Sequence, residues 1–121
     1  MPEPQGIMHD AVRHDSAHKH VSGEAAYIDD IRAPEGLLHV YPGMSERAHA
    51  RIRSTDLSKV RAAPGVVAVL TAADIPGVND ISPTALQDEP VFADGVVQFH
   101  GQVMFAVIGE TRAQALHAAR T

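Results

Sequence analysis

Cysteine is absent from the 121 residues, and so is tryptophan. The first absence excludes disulfides, thiolate zinc sites and cysteine-ligated iron–sulfur clusters within the chain, and it fits a reducing compartment. Aromatics amount to three Phe and two Tyr, so a core must be built from Val, Ile, Leu and Met. Long hydrophobic runs are missing as well. None approaches the ~18 apolar residues of a membrane helix, and no charged-then-apolar leader opens the chain. Positive charge is scarce: ten Lys and Arg stand against fifteen Asp and Glu, a net charge of −5. That balance argues against a nucleic-acid partner, which would favour a basic face. A cytoplasmic chain with no membrane and no nucleic-acid partner is expected.

What is present suffices for one domain. At this length about two-thirds of the unfolded surface can be buried, so one ordinary core forms without staples. The charge is unevenly placed. Arg47, Arg51, Arg53, Lys59 and Arg61 cluster, whereas no Lys or Arg occurs from Ala62 through Thr111. Asp74, Asp80, Asp88, Glu89, Asp94 and Glu110 fall in that second stretch. It reads either as a solvated acidic surface or as a face complementary to a partner.

Residues 1–22 are rich in His, Pro and charge and lack apolar patterning, which predicts an extended N-terminal arm. Residues 23–121 carry the folded domain. Gly23 to Gly36 reads as a short extended segment and a turn. Leu37–Tyr41 is a strand candidate closed by Pro42-Gly43. Ala48–Arg53 alternates with period two and predicts a second strand. Ser54 or Thr55 can cap a helix through Leu57 and Val60, which Pro64-Gly65 ends. Val66–Leu70 is the clearest buried strand, short and dense in β-branched residues. Thr71–Asp74 starts a short helical turn that Ile75-Pro76-Gly77 cuts off.

Gly77 to Pro90 is a long loop, beyond the ~4–6 residues of a typical connection. Val91-Phe92, Asp94-Gly95 and Val96–Phe99 read as a hairpin. Val103–Ile108 is a second strongly apolar strand, and Thr111 caps a final helix whose face is marked by Ala113, Leu116 and Ala119 or Arg120. The predicted class is α+β, a small mixed β-sheet packed against helices.

Eight histidines raise a metal hypothesis. His14 and His18 are four apart, and His18 and His20 two apart, so either a helix or a strand could align a pair, with Asp15 as a third ligand. Against it, the stretch reads as an arm, where histidines are solvated. Asp29 and Asp30 suit acid–base work or cation binding, or else capping or a salt bridge to Arg32. Ser45 and His49 superficially resemble a nucleophile and base, but no Gly-x-Ser-x-Gly elbow surrounds the serine. Gly101-Gln102 either places an amide in a cleft or marks a bulge. No Walker loop or Gly-x-Gly-x-x-Gly occurs, and these residues assemble no complete catalytic site.

One run follows no simple period: His14-Asp15-Ser16-Ala17, then His20-Val21-Ser22-Gly23-Glu24-Ala25 and Tyr27-x-Asp29-Asp30. It resembles the start of the molybdenum-binding subunit of bacterial xanthine dehydrogenases, in the aldehyde oxidase and xanthine dehydrogenase family. The resemblance continues through Leu37-Leu38-His39, Ala48-His49-Ala50-Arg51-Ile52, Asp56-Leu57 and Pro64-Gly65-Val66-Val67-Ala68-Val69. It ends with Ala73-Asp74-Ile75-Pro76-Gly77-x-Asn79-Asp80 and His100-Gly101-Gln102. Tyr-x-Asp-Asp and Pro-Gly-Val look like the wider family. His-Asp-Ser-Ala and Ile-Pro-Gly-x-Asn-Asp look like the xanthine dehydrogenase branch.

The resemblance implies the family's N-terminal a/b hammerhead domain, part of a longer subunit cut at Thr121. It implies a complete enzyme that hydroxylates xanthine or hypoxanthine to urate at molybdenum–molybdopterin, with electrons passing through two iron–sulfur clusters and FAD to NAD. None of these cofactors is expected on this chain, because the family's pterin loops and catalytic residues lie downstream. No catalytic, cofactor-binding or metal residue is carried over; Gln102 is not the family's molybdenum-side glutamine. The implied partners are the downstream molybdopterin-binding domain and the iron–sulfur/FAD subunit. The domain alone is expected to be inactive. The rival readings are the same domain of an aldehyde oxidase, carbon monoxide dehydrogenase or aromatic-CoA reductase relative, and a free-standing non-catalytic binding module.

Overall fold

The computed structural model describes residues 13–84 and 86–121. Contacts divide the chain into two units, ending and beginning at Pro34 and Glu35.

In the first unit, helix α1 spans Ala17–Ser22, and a 3-10 turn spans Ile28–Asp30. The helix replaces extended chain expected from the sequence, and the 3-10 turn falls inside the segment read as extended chain and a turn. Helix α1 buries none of its residues, so it leaves no apolar period to read. It closes locally, with the Gly23 N–H donating to the Lys19 carbonyl. The part of the arm before residue 13 lies outside the described residues.

The second unit is the α+β body. Strands β1 (His39–Met44), β5 (Val103–Gly109) and β3 (Val66–Leu70) form an antiparallel sheet in the order β1-β5-β3. Helix α2 (Ser58–Arg61) packs on β3, and helix α3 (Arg112–Ala119) on β1 and β5. The pleat sends alternate side chains to opposite faces. Tyr41, Val107 and Val69 therefore stand in one cross-strand row and belong to the core. Val107 is fully buried, and Val60, Ala115 and Ala118 close the cluster over it. Burying such a valine contributes about 1.5–3 kcal/mol.

The helix approaches the sheet closely because its contact residues are small. A Cβ on Gly109 would lie 3.0 Å from the Ala115 backbone nitrogen. This shifts the predicted helix face: Ala115 and Ala118 are buried, Ala119 packs against the core as expected, and Ala113 is exposed. An alanine-rich helix offers too little contrast for periodicity to locate its inner side.

Three other expectations change. Strand β1 runs through Pro42-Gly43 instead of stopping there. It is an edge strand, where proline is tolerated. Helix α2 is a single turn and starts only at Ser58; Asp56 Oδ1 accepts from the Ser58 N–H at 2.9 Å. The Asp94-Gly95 hairpin does not form. Strand β4 (Val96–Val97) pairs antiparallel with β2 (Ala50–Arg51), and the Ile52 N–H donates to the Gly95 carbonyl at 2.9 Å. The long-range partner wins because it lets Val97 bury to 2% exposure.

Candidate functional site

The residues singled out in the first unit are held together locally. His20 Nδ1 shares a 2.7 Å hydrogen bond with the Tyr27 hydroxyl. The His14 ring meets the His20 ring edge-on at 5.7 Å, and His14 Nδ1 accepts from the Ser16 N–H. His18 is exposed on helix α1. Among the described residues no group of three or more His, Asp or Glu could hold a metal ion. Asp29 and Asp30 are both exposed, and Asp30 Oδ2 accepts from the Tyr27 N–H at 2.9 Å and so caps the 3-10 turn. The Asp30 bond is the one that capping requires.

In the second unit, Ser45 is buried at 5% exposure. Its Oγ accepts from the Arg47 N–H at 3.0 Å and donates to the Arg47 carbonyl at 3.1 Å. The hydroxyl is committed to backbone, and His49 is exposed and forms no pair with it. Ser45 instead prolongs the β1–β5 ladder: its N–H donates to the Gln102 carbonyl, and its carbonyl accepts from the Gly101 N–H. Gly101-Gln102 is therefore a turn at the strand's entry. The Gln102 side chain is 4% exposed, and its Oε1 accepts from the Gln98 N–H at 2.7 Å. The bulge read for this pair is a turn instead, and the Gln102 side chain lines a cleft.

That cleft, about 330 Å³, lies between the long loop and the 98–103 turn. Ile81, Asp88, Glu89, Phe99, Gln102 and Val103 are among its lining residues. The loop is pinned. The Asn79 side chain pairs with the Phe92 backbone in both directions, donating to its carbonyl at 2.8 Å and accepting from its N–H at 3.0 Å. Ser82 Oγ donates to Asp80 and accepts from the backbone N–H groups of Asp88 and Glu89. The Ile81 N–H donates to the Glu89 carbonyl. Sequence reading placed Asn79, Asp80, Ser82 and Asp88 within the long Gly77–Pro90 loop. It could not identify Ser82 as the hub, because its partners are six and seven residues away.

Three carboxyls, Asp56 and Asp74 exposed and Asp80 half-buried, are acidified by such bonds. The Ser82 hydroxyl holds Asp80 below the ordinary 3.8. The Thr71 hydroxyl and N–H do the same for Asp74, and the Ser58 N–H for Asp56. Hydrogen bonds to the charged form lower a pKa, and here they outweigh desolvation. These acids organise turns: Asp74 accepts from Thr71 N–H and Oγ1, both at 2.8 Å. They are not raised toward neutrality, as general acids require.

No helix among the described residues is long and apolar enough to cross a membrane. With no cysteine in the chain, a thiolate-ligated iron–sulfur cluster has no donors here.

Comparison with known proteins supplies the context. The family model for the aldehyde oxidase and xanthine dehydrogenase a/b hammerhead domain matches residues 22–121. Xanthine dehydrogenase of Dictyostelium discoideum is 42% identical over 109 residues, covering 90% of this chain and 8% of that protein. Aldehyde oxidase 4 of Cavia porcellus is 39% identical over 117 residues, covering 97% of this chain and again 8% of the relative. Among solved structures, the aldehyde oxidoreductase of Desulfovibrio desulfuricans superposes with a TM-score of 0.75 at 30% identity, covering 87% of this chain and 13% of that one. Dehydrogenases and oxidases match at comparable identity, and the chain spans about a twelfth of the curated relatives' length. The chain belongs to the aldehyde oxidase and xanthine dehydrogenase family, whose a/b hammerhead domain it carries.

Proposed function

We propose that this chain is the N-terminal structural domain of a molybdenum hydroxylase, a cytoplasmic xanthine dehydrogenase of the bacterial type. The observation that carries the reading is the hammerhead match across residues 22–121. The branch rests on His14-Asp15-Ser16-Ala17 and on Ile75-Pro76-Gly77-x-Asn79-Asp80. In the complete enzyme, xanthine or hypoxanthine is hydroxylated to urate with NAD as acceptor. The molybdopterin–molybdenum centre, two iron–sulfur clusters and FAD are held by other domains or subunits.

The work of this domain is mechanical: it buttresses the molybdopterin-binding domain and contributes to the interface with the iron–sulfur/FAD subunit. Its own side chains support that role. Ser45, Asp30, Asp74 and Ser82 spend their polar atoms on local backbone. The division into an arm over residues 1–22 and a domain over 23–121 belongs to this proposal.

The test is steady-state kinetics of the complete enzyme with xanthine and with an aromatic aldehyde, each with NAD. The reading expects kcat/KM for xanthine to exceed that for the aldehyde by at least tenfold. The reverse preference assigns the domain to an aldehyde oxidase.

A further inference from the structure

The cleft between the pinned loop and the 98–103 turn has features that packing within this chain does not use. Gln102 is the first. Its oxygen is taken by the Gln98 N–H, but no described residue accepts a bond from its Nε2. No fully enclosed side-chain nitrogen or oxygen lacks a partner among the described residues, and the Gln102 side chain lines the cleft. A buried amide, 4% exposed, thus lines the cleft with its oxygen already taken.

Charge is the second feature. Among the described residues, Asp88 and Glu89 are the charged ones lining the cleft, and the sequence supplies no Lys or Arg from Ala62 through Thr111. The third is apolar surface. Ile81 is 66% exposed and Phe99 56% exposed, and both line the same cleft. The Ser82 and Asn79 bonds hold the loop in place, so little ordering cost attaches to filling the cleft.

We infer that this cleft is the seat for a polypeptide segment of the enzyme's remaining chain or subunits, one that carries a Lys or Arg next to an apolar side chain. The cation lies against Asp88 and Glu89, the apolar group covers Ile81 and Phe99, and a backbone carbonyl accepts from Gln102 Nε2. The inference rests on reading the chain as one domain of a larger hydroxylase. The helix-free face of the three-stranded sheet, with Val40 65% and Leu70 39% exposed, also offers apolar surface. It is the natural rival and the natural control.

The test is photo-crosslinking in the complete enzyme, with p-benzoylphenylalanine replacing Phe99 or, as the control, Val40. Mass spectrometry of the product at position 99 is expected to identify a segment outside residues 1–121 with a Lys or Arg within three residues of the attachment point. Adding Asp88→Lys and Glu89→Lys is expected to cut that yield at least tenfold and leave any Val40 product unchanged. A product lacking a basic residue, no product, a product on a second copy of this domain, or a yield indifferent to the charge reversal each overturns the inference. Molybdenum content of the same preparation is measured in parallel. Its absence speaks against the hydroxylase reading, whatever the cross-link shows.

Discussion

Gly43 and Phe105 face each other across strands β1 and β5, and the Phe105 ring lies where a Cβ on residue 43 would stand. Gly43 is buried, and Phe105 packs against the main core. The pair explains why β1 continues through a Pro-Gly that reads as a stop. The glycine is there to admit the ring.

Replacing Gly43 with Ala is therefore expected to destabilise the domain by about 1–3 kcal/mol, the usual cost of overpacking. Thermal unfolding followed by circular dichroism measures it. Combining Gly43→Ala with Phe105→Leu is expected to cost less than the sum of the single changes, because the smaller side chain removes the clash.

The contact between β5 and α3 gives a second expectation. Gly109 meets Ala115 at backbone distance, so Gly109→Val is expected to lower stability more than Gly43→Ala does. A ring can rotate away, whereas Ala115 can yield only if the whole helix shifts. Urea midpoints of the two variants decide the order.

The cap of α3 is accessible to a simpler change. Thr111 Oγ1 accepts from the Gln114 N–H at 3.2 Å and donates to Gln114 Oε1 at 2.8 Å. Thr111→Ala is expected to cost about 1 kcal/mol, and Thr111→Asp to retain most of the stability by keeping an acceptor at the helix start. Equal losses for both would show that the cap contributes nothing.

Much of the body is legible in the sequence, for physical reasons. Val66–Leu70 and Val103–Ile108 are runs whose only stable use is a buried sheet, and β3 and β5 fall there. Thr71–Asp74 carries its own cap, and the 3-10 turn forms there. What escaped depends on partners distant in sequence. The partner of β4 is β2, more than forty residues away, and the shape of Gly43 is set by Phe105. Helix α1 escaped for the opposite reason: it touches too little to leave a pattern. At the candidate site, the charge asymmetry was visible. The buried Gln102 amide was not, because only the fold shows that its oxygen accepts from the Gln98 N–H.

Acid sensitivity follows from the lowered carboxyls of Asp56, Asp74 and Asp80. A group whose folded pKa is depressed favours the folded state above its unfolded pKa. That contribution is lost as pH falls through the folded value. Stability is thus expected to decline as pH drops from the ordinary carboxyl value of 3.8 downward through the three folded values. Thr71→Val removes the largest cause acting on Asp74 and is expected to raise its pKa toward the ordinary value. Carboxyl carbon NMR titration of Asp74 in both proteins reads the shift.

The central claim is that this domain supports an active site it does not contain. The most direct measurement is xanthine-dependent reduction of NAD by the complete enzyme, set beside the same assay on purified residues 1–121. The account predicts turnover by the complete enzyme and none by the isolated chain, with molybdenum recovered only in the former. Turnover by the isolated chain would contradict it.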